Sequence, residues 1–315
     1  MKKVAHDFVV AKRSICHLIQ HSDVFRARFQ RNIRLQKYNP TTTDYIKSLS
    51  SAKHRFNSHA KPFGRGVIFY DAHLQTAQNI TDERKGAQES KDASAFLDIV
   101  DEESSFQFAC LAEAGDENMM LTRVIEDEVH DKSQLAPEVC RFLQRIHTLF
   151  VQCQCLKGGY VEHMMNVLSK ERIIYSLDGA PRKLGGQGAL TTVVIKRCMM
   201  RMINWVKLAE EVVRVEFANF DLLMAFDLFQ IDDKPKSDVL QGRGFDESVA
   251  RVCHILKLDK ARFISQFEDH LPMALHAAAT KKLVTFAAWK HATDLSMKDR
   301  RSRVAHPSDT LRKAL

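Results

Sequence analysis

The sequence predicts an all-α protein, a multi-helix globular array with at most one or two short strands, and three observations carry that expectation. Glycine (12) and proline (7) are scarce across 315 residues, whereas a sandwich or barrel needs a turn signal roughly every ten residues. Apolar residues recur mostly at three- and four-residue steps, the period of a helix with one face in a core. Hydrophobic residues make up 45% of the chain and charged ones 27%, which suffices for a large core in one or two domains.

From Val4 to about Lys37 the apolar positions Val4, Phe8, Ala11, Ile15, Leu18, Ile19, Phe25, Phe29 and Ile33 read as one amphipathic helix. Asn39-Pro40 ends it, because a residue before proline is pushed out of the helical region. Thr43-Asp44 can cap a second helix through Phe56, and Pro62 with Gly64 is expected to close that one. Val67-Ile68-Phe69-Tyr70 looks like a short strand in isolation, but Ala72, Leu74, Ala77 and Ile80 continue it with helical spacing, and helix is the preferred reading. Polar residues 81–92 read as a linker or frayed helix start.

Short helical segments are expected around Phe96, Phe106 and Met119, separated by Asp101-Glu102-Glu103 and Gly115-Asp116. The acidic residues suit helix N-termini, where the macrodipole favours negative charge. Pro137 suits the first turn of a helix that runs to Phe150 and stops at Gly158-Gly159. A helix follows over 160–168. Residues 172–175 offer the one credible strand. Ala189 to Phe217 reads as the longest helix, with Val193, Val194, Cys198, Met202, Trp205, Val206, Ala209, Val212, Val213 and Phe217 facing a core. Phe220–Ile231 is apolar up to Asp232, and helices are expected near 246–257, 260–271 and 282–295.

This reading divides the chain into a basic helical region over 1–81, a helical core over 82–296 and a basic flexible tail over 297–315. Charge follows the division. Residues 1–65 carry 14 Lys/Arg against three Asp, residues 82–138 carry five Lys/Arg against sixteen Asp/Glu, and residues 281–315 carry nine basic against three acidic groups. Basic ends can meet an anionic partner, or the basic and acidic segments can face each other within the fold.

The seven cysteines are odd in number, scattered and set in apolar stretches, so they read as reduced core thiols. Lys12 and Arg13 interrupt the N-terminal region before any run of signal-peptide length, and no stretch approaches ~18 uninterrupted apolar residues. The protein is therefore expected to be intracellular, nucleus and cytoplasm undecided, with no membrane span.

Four sets of residues invite chemistry. Glycines in 185–188 suggest a phosphate loop, but match neither a Walker loop nor the dinucleotide fingerprint. Cys140, His147, Cys153, Cys155 and His163 are zinc-ligand types without paired zinc spacing. Asp71, Asp98, Asp101, Glu102, Glu103, Glu126, Asp127 and Glu128 can supply a two-metal site only if the fold makes them converge. None of the three is taken as a site, and no catalytic residue, metal or cofactor is expected. Arg26, Arg28, Arg31, Arg34, Lys37, Lys53, Arg55, Lys61 and Arg65 form the strongest set, a basic helical surface able to contact nucleic-acid phosphates. The run 298–303 is a second, shorter basic patch.

Residues 95–103 (Ala-Phe-Leu-Asp-Ile-Val-Asp-Glu-Glu), 111–123 (Leu-Ala-Glu-Ala-Gly-Asp-Glu-Asn-Met-Met-Leu-Thr-Arg) and 217–226 (Phe-Ala-Asn-Phe-Asp-Leu-Leu-Met-Ala-Phe) resemble helical parts of hAT-type transposase-derived proteins. The resemblance implies a truncated relative that keeps mainly the helical region. It brings no zinc-finger module, no strand set for a ribonuclease-H-like domain and no catalytic acid. The expected function is a non-enzymatic helical interaction protein with nucleic acid or another protein as partner, its oligomeric state open. The alternative is a metal-dependent DNA-processing remnant.

Overall fold

The computed structural model describes residues 2–35, 57–126, 135–169, 173–175, 181–183, 190–217, 220–231, 245–283, 285–298, 311 and 314. The fold is all-α apart from one small hairpin, and the chain forms two compact units. One comprises 1–122 with 142–209, and the other 123–141 with 210–315. The boundary expected between 81 and 82 falls inside the first unit.

The single helix expected from Val4 to Lys37 is three: α1 (Lys2–Ala5), continued by a π-helical turn over His6–Val10, then α2 (Ile15–His21) and α3 (Asp23–Leu35). Ala11 is extended, and Ser14 restarts the helix by accepting a hydrogen bond from the His17 amide at 3.3 Å. A serine hydroxyl competes for backbone donors in this way, which suits a cap better than a helix interior. The apolar pattern nevertheless marks the buried side correctly, since Phe8, Ile15, Ile19, Phe25 and Phe29 all lie in the core. The expected helix over 43–56 lies outside the described residues.

Pro62 and Gly64 do not close a helix but lie inside α4 (Asn57–Ile68). The glycines of α4 admit neighbours. A Cβ on Gly64 would stand 2.4 Å from the Tyr160 hydroxyl, and one on Gly66 2.7 Å from the Phe108 ring. Residues 67–80 are helical as preferred, with a break at Phe69 before α5 (Tyr70–Glu83). A tight turn with Gly86 at φ 88° leads directly into α6 (Gln88–Ile99), so of the expected linker over 81–92 only 84–87 connects the helices and the rest is helical.

α7 (Glu102–Glu126) runs unbroken through Gly115-Asp116, where an interruption was expected. Its start matches the acidic signal: the Ser104 amide donates to Asp101 Oδ1 at 2.6 Å and the Asp101 amide to Ser104 Oγ at 3.0 Å, a reciprocal cap. Six consecutive residues, 105–110, are buried. At 100° per residue six positions cover every side of a helix, so this segment is enclosed all round. α8 (Leu135–Ile146) has Pro137 in its first turn and continues as a π-helical turn over His147–Val151. The helical path is lost at Cys153, in the left-handed region, rather than at Gly158-Gly159. A 3-10 turn over Gln154–Lys157 then leads into α9 (Gly159–Leu168). β1 (Ile173–Tyr175) is the expected strand, paired antiparallel with β2 (Pro181–Lys183) and Ile174 opposite Arg182. α10 (Thr192–Glu216) follows.

The second unit holds α11 (Phe220–Ala225), a 3-10 turn over Phe226–Phe229, α12 (Phe245–Leu256), α13 (Lys260–Lys281) and α14 (Thr285–Lys298). α13 passes through Pro272, ten residues beyond its expected end. The carbonyl that loses its partner is that of Glu268, and both residues are exposed, so the lost bond is not enclosed in the core. Phe229 is fully buried at the centre, its ring near those of Phe226, Phe263, Phe267, Phe286 and Trp289. Its carbonyl accepts the Trp289 indole N–H at 2.8 Å. The tail is not wholly free: Leu311 and Ala314 are buried in this core, and the Leu311 amide donates to Gln266 Oε1 at 2.8 Å.

Phe229→Ala should lower stability by about 3–5 kcal/mol, the range for a large-to-small change in a packed core. Denaturant unfolding read at Trp289 measures it, and a loss below about 1 kcal/mol would show that the ring cluster does not anchor this unit.

Candidate functional site

The basic set divides once its side chains are placed. Arg26 donates to Asp23 at 3.0 Å and to the Gln20 carbonyl, and Arg28 pairs with Glu83. Arg13 pairs with Asp92 at 3.3 Å. Two arginines of the basic N-terminal segment thus meet carboxylates of the acidic 82–138 segment. Arg31 and Arg34, one turn apart on the outer side of α3, are exposed and form no ion pair among the described residues. Arg65 is half-buried in α4, which also contains Lys61, while Lys37, Lys53 and Arg55 lie outside the described residues.

The zinc-type residues do not come together. Cys140 faces Met224 with its sulfurs 3.5 Å apart, Cys155 is buried with its sulfur 4.0 Å from that of Met199, and His163 is exposed. Among the described residues no group of three or more His, Cys, Asp or Glu is arranged to hold a metal. The carboxylates are likewise engaged separately. Asp101 caps α7, Glu103 bridges Arg197 and Arg201 at 2.6 and 2.7 Å, and Asp98 is exposed on α6. Asp127, Glu128 and the 185–188 glycines lie outside the described residues.

A polar network that the charge map hid in an acidic run ties α7 to its neighbours. Glu113 accepts the amides of Tyr160 and Val161 at the N-terminus of α9, where helix dipole and free N–H groups favour an anion. Burial pushes its carboxyl upward, the two amides oppose that, and nearby Asp116 and Glu117 add to it. Tyr160 Oη donates to Asp116 Oδ2 at 3.1 Å. Burial lifts the Tyr160 hydroxyl to about 12, Asp116 reinforces this, and Arg65 acts against it. Glu117, with 7% of its side chain exposed, receives Arg145 Nε and Nη2 at 2.7 and 2.6 Å, a two-pronged pair. Gly159 has φ 73°, and a Cβ there would fall 2.0 Å from Glu113 Oε1. The contacts are all internal, and they position α8 and α9 against α7.

Several residues with reactive side chains are held in unreactive states. Burial raises the Cys16 and Cys155 thiols to about 12 and Cys198 to about 11. At neutral pH such thiols carry almost no thiolate, the form that attacks or ligates. His73 is buried against the Phe29 ring, centroids 4.8 Å apart, with Nε2 unpartnered, and burial lowers it to about 3 despite its bond to the Gly66 carbonyl. In the second unit an open hollow of about 400 Å³ is lined by Pro272, Met273, His276, Ala277, Lys281 and His291, with Lys281 Nζ 2.8 Å from His291 Nε2.

α10 differs from these in what it shows to solvent. Cys198, Met202, Val206 and Val213 form its buried side. On the other side Val193, Met200, Leu208 and Val215 are 63%, 57%, 56% and 69% exposed, with Val212 beside them. Val193 and Val212 had been expected to face a core. Helical periodicity detects apolar residues and not what covers them, so a helix apolar on two sides reads as a broad core face. Among the described residues no helix is long and apolar enough to cross a membrane. The chain matches no protein-family model, no curated protein and no solved structure.

His73 makes the native state acid-sensitive. Its folded pKa lies below the ordinary 6.5, so below 6.5 the unfolded chain binds a proton that the native chain refuses. Its contribution is therefore intact above pH 6.5 and falls away as pH drops towards 3. His73→Phe should flatten the decline of unfolding free energy across that window, and an unchanged slope would remove His73 as its source. Gly159→Ala should destabilise by about 1–3 kcal/mol through strain and overpacking, with the thermal midpoint as the readout.

Proposed function

We propose that this chain is a helical protein-interaction module that acts without catalysis and offers the outward face of α10 to a partner. The observation that carries the proposal is the set of large apolar side chains exposed along that helix opposite its buried side. Scattered surface apolar residues need no explanation, but Leu208, Val212 and Val215 stand at four- and three-residue steps and adjoin on this face, as the side chains of an interaction patch do. The buried thiols and the acid-shifted His73 support the same reading, because their environments suppress nucleophilic or basic behaviour. An origin as a truncated hAT-type transposase-derived protein, implied by the resemblance of 95–103, 111–123 and 217–226, belongs to the proposal. The metal-dependent remnant has less support, since Asp101 and Glu103 are engaged in a cap and in ion pairs.

Met200→Lys with Leu208→Lys should elute earlier from a hydrophobic-interaction column than the unaltered chain, at an unchanged thermal midpoint. Equal retention would mean that the α10 face is covered within the intact protein, and the interaction reading would fall.

Contact with nucleic acid is the second reading, supported by Arg31 and Arg34, the exposed arginines of α3. With two phosphate contacts the log–log dependence of affinity on salt should have a slope of about −2, and binding should be detectable at about 50 mM and weak at about 200 mM. Arg31→Ala with Arg34→Ala should abolish it. An absence of binding to generic DNA and RNA at the lower salt sinks this reading.

A further inference from the structure

The outward side of α10 carries a pattern of its own. Its residues are Val193, Arg197, Met200, Asn204, Leu208, Glu211 and Val215, all exposed. Their steps are four, three, four, four, three and four, the alternation that keeps one seam of a helix against another in a coiled coil. At 1.5 Å per residue the seam from Val193 to Val215 is about 33 Å long.

The seam is also symmetric about Asn204. Met200 and Leu208 stand four residues either side of it, Arg197 and Glu211 seven, and Val193 and Val215 eleven. Turning a second α10 end for end about an axis through Asn204 therefore sets Val193 against Val215, Arg197 against Glu211, Met200 against Leu208, and Asn204 against Asn204. Apolar meets apolar and cation meets anion, each of those pairs occurring twice by symmetry, while amide meets amide once, on the axis. A parallel arrangement sets Arg197 against Arg197 and Glu211 against Glu211, two like-charge contacts at the seam.

We infer that the occupant of this face is a second copy of the chain, paired antiparallel through α10 with the two-fold axis at Asn204. The inference rests on the reading of α10 as the interaction face and adds the identity and direction of the partner. A paired polar residue in an apolar seam fixes register at a cost in stability, which is the part Asn204 takes. Arg197 already holds Glu103 at 2.6 Å and remains 55% exposed, so its guanidinium has donors left for a carboxylate of the second copy. Lys196, Lys207 and Arg214 flank the seam and oppose close approach. The pairing is accordingly weak and concentration-dependent.

Sedimentation of the full chain over a wide concentration series should show a monomer–dimer equilibrium, and Leu208→Lys should shift it to monomer with an unchanged far-ultraviolet spectrum. Oxidation of Asn204→Cys should give a covalent dimer beyond any formed by the unaltered chain. Val193→Cys alone should give none, and Val193→Cys with Val215→Cys should restore it. A dimer linked by Val193→Cys alone, or one indifferent to Leu208→Lys, overturns the inference. A chain that stays monomeric at every concentration overturns it too. If that monomer still loses hydrophobic retention with Met200→Lys and Leu208→Lys, the interaction face stands and only the second copy is excluded from it.

Discussion

The first unit depends on the enclosure of α7. A helix buried on every side over 105–110 must be met by apolar surface in all directions, and no single neighbour can supply that. Phe106, Phe108, Ala109 and Cys110 fill the core. Ser105 meets the Tyr70 hydroxyl of α5 at 2.5 Å, while Gln107 reaches the Met202 sulfur of α10 at 3.3 Å. Further along, Glu113 and Glu117 secure α9 and α8. Buried polar groups must be partnered where they lie, so the carboxylates of α7 direct where its neighbours dock. Glycines at 64, 66 and 159 provide the close approach this needs.

Among the described residues, part of the separation of charge along the chain is met by internal ion pairs. Arg13 and Arg28 turn to Asp92 and Glu83, Arg145 to Glu117, and Arg197 and Arg201 to Glu103. Most of these pairs are partly exposed, and each contributes only about 0–1 kcal/mol. Arg13–Asp92 and Arg28–Glu83 join the basic N-terminal segment to the acidic one and offset part of the field between them. The cation surface left on α3 narrows to Arg31 and Arg34.

α10 has the opposite character from α7. One side completes the core, and the other sets Val193, Met200, Leu208 and Val215 among charged and polar residues and is exposed among the described residues. The exposed residues of this side are spaced symmetrically about Asn204, with apolar opposite apolar and Arg197 opposite Glu211.

By itself the sequence determined that the protein is helical, which sides of its helices are apolar, where α7 begins, that Pro137 opens α8, that 173–175 is a strand, and that the cysteines are free thiols. These are local properties, set by periodicity and by capping chemistry within a few residues. It did not show the restart at Ser14, the passage of helices through Pro62, Gly115 and Pro272, or the burial of Leu311 and Ala314. Two of these depend on neighbours distant in sequence: Tyr160 and Phe108 justify the glycines of α4, and Gln266 receives the tail. The acidic run likewise concealed that Glu113 faces a helix terminus while Asp101 caps α7. Only the tertiary structure decided that Val193 and Met200 face outward, because spacing along a helix records an apolar side and the cover over that side is set by the packing of the whole chain.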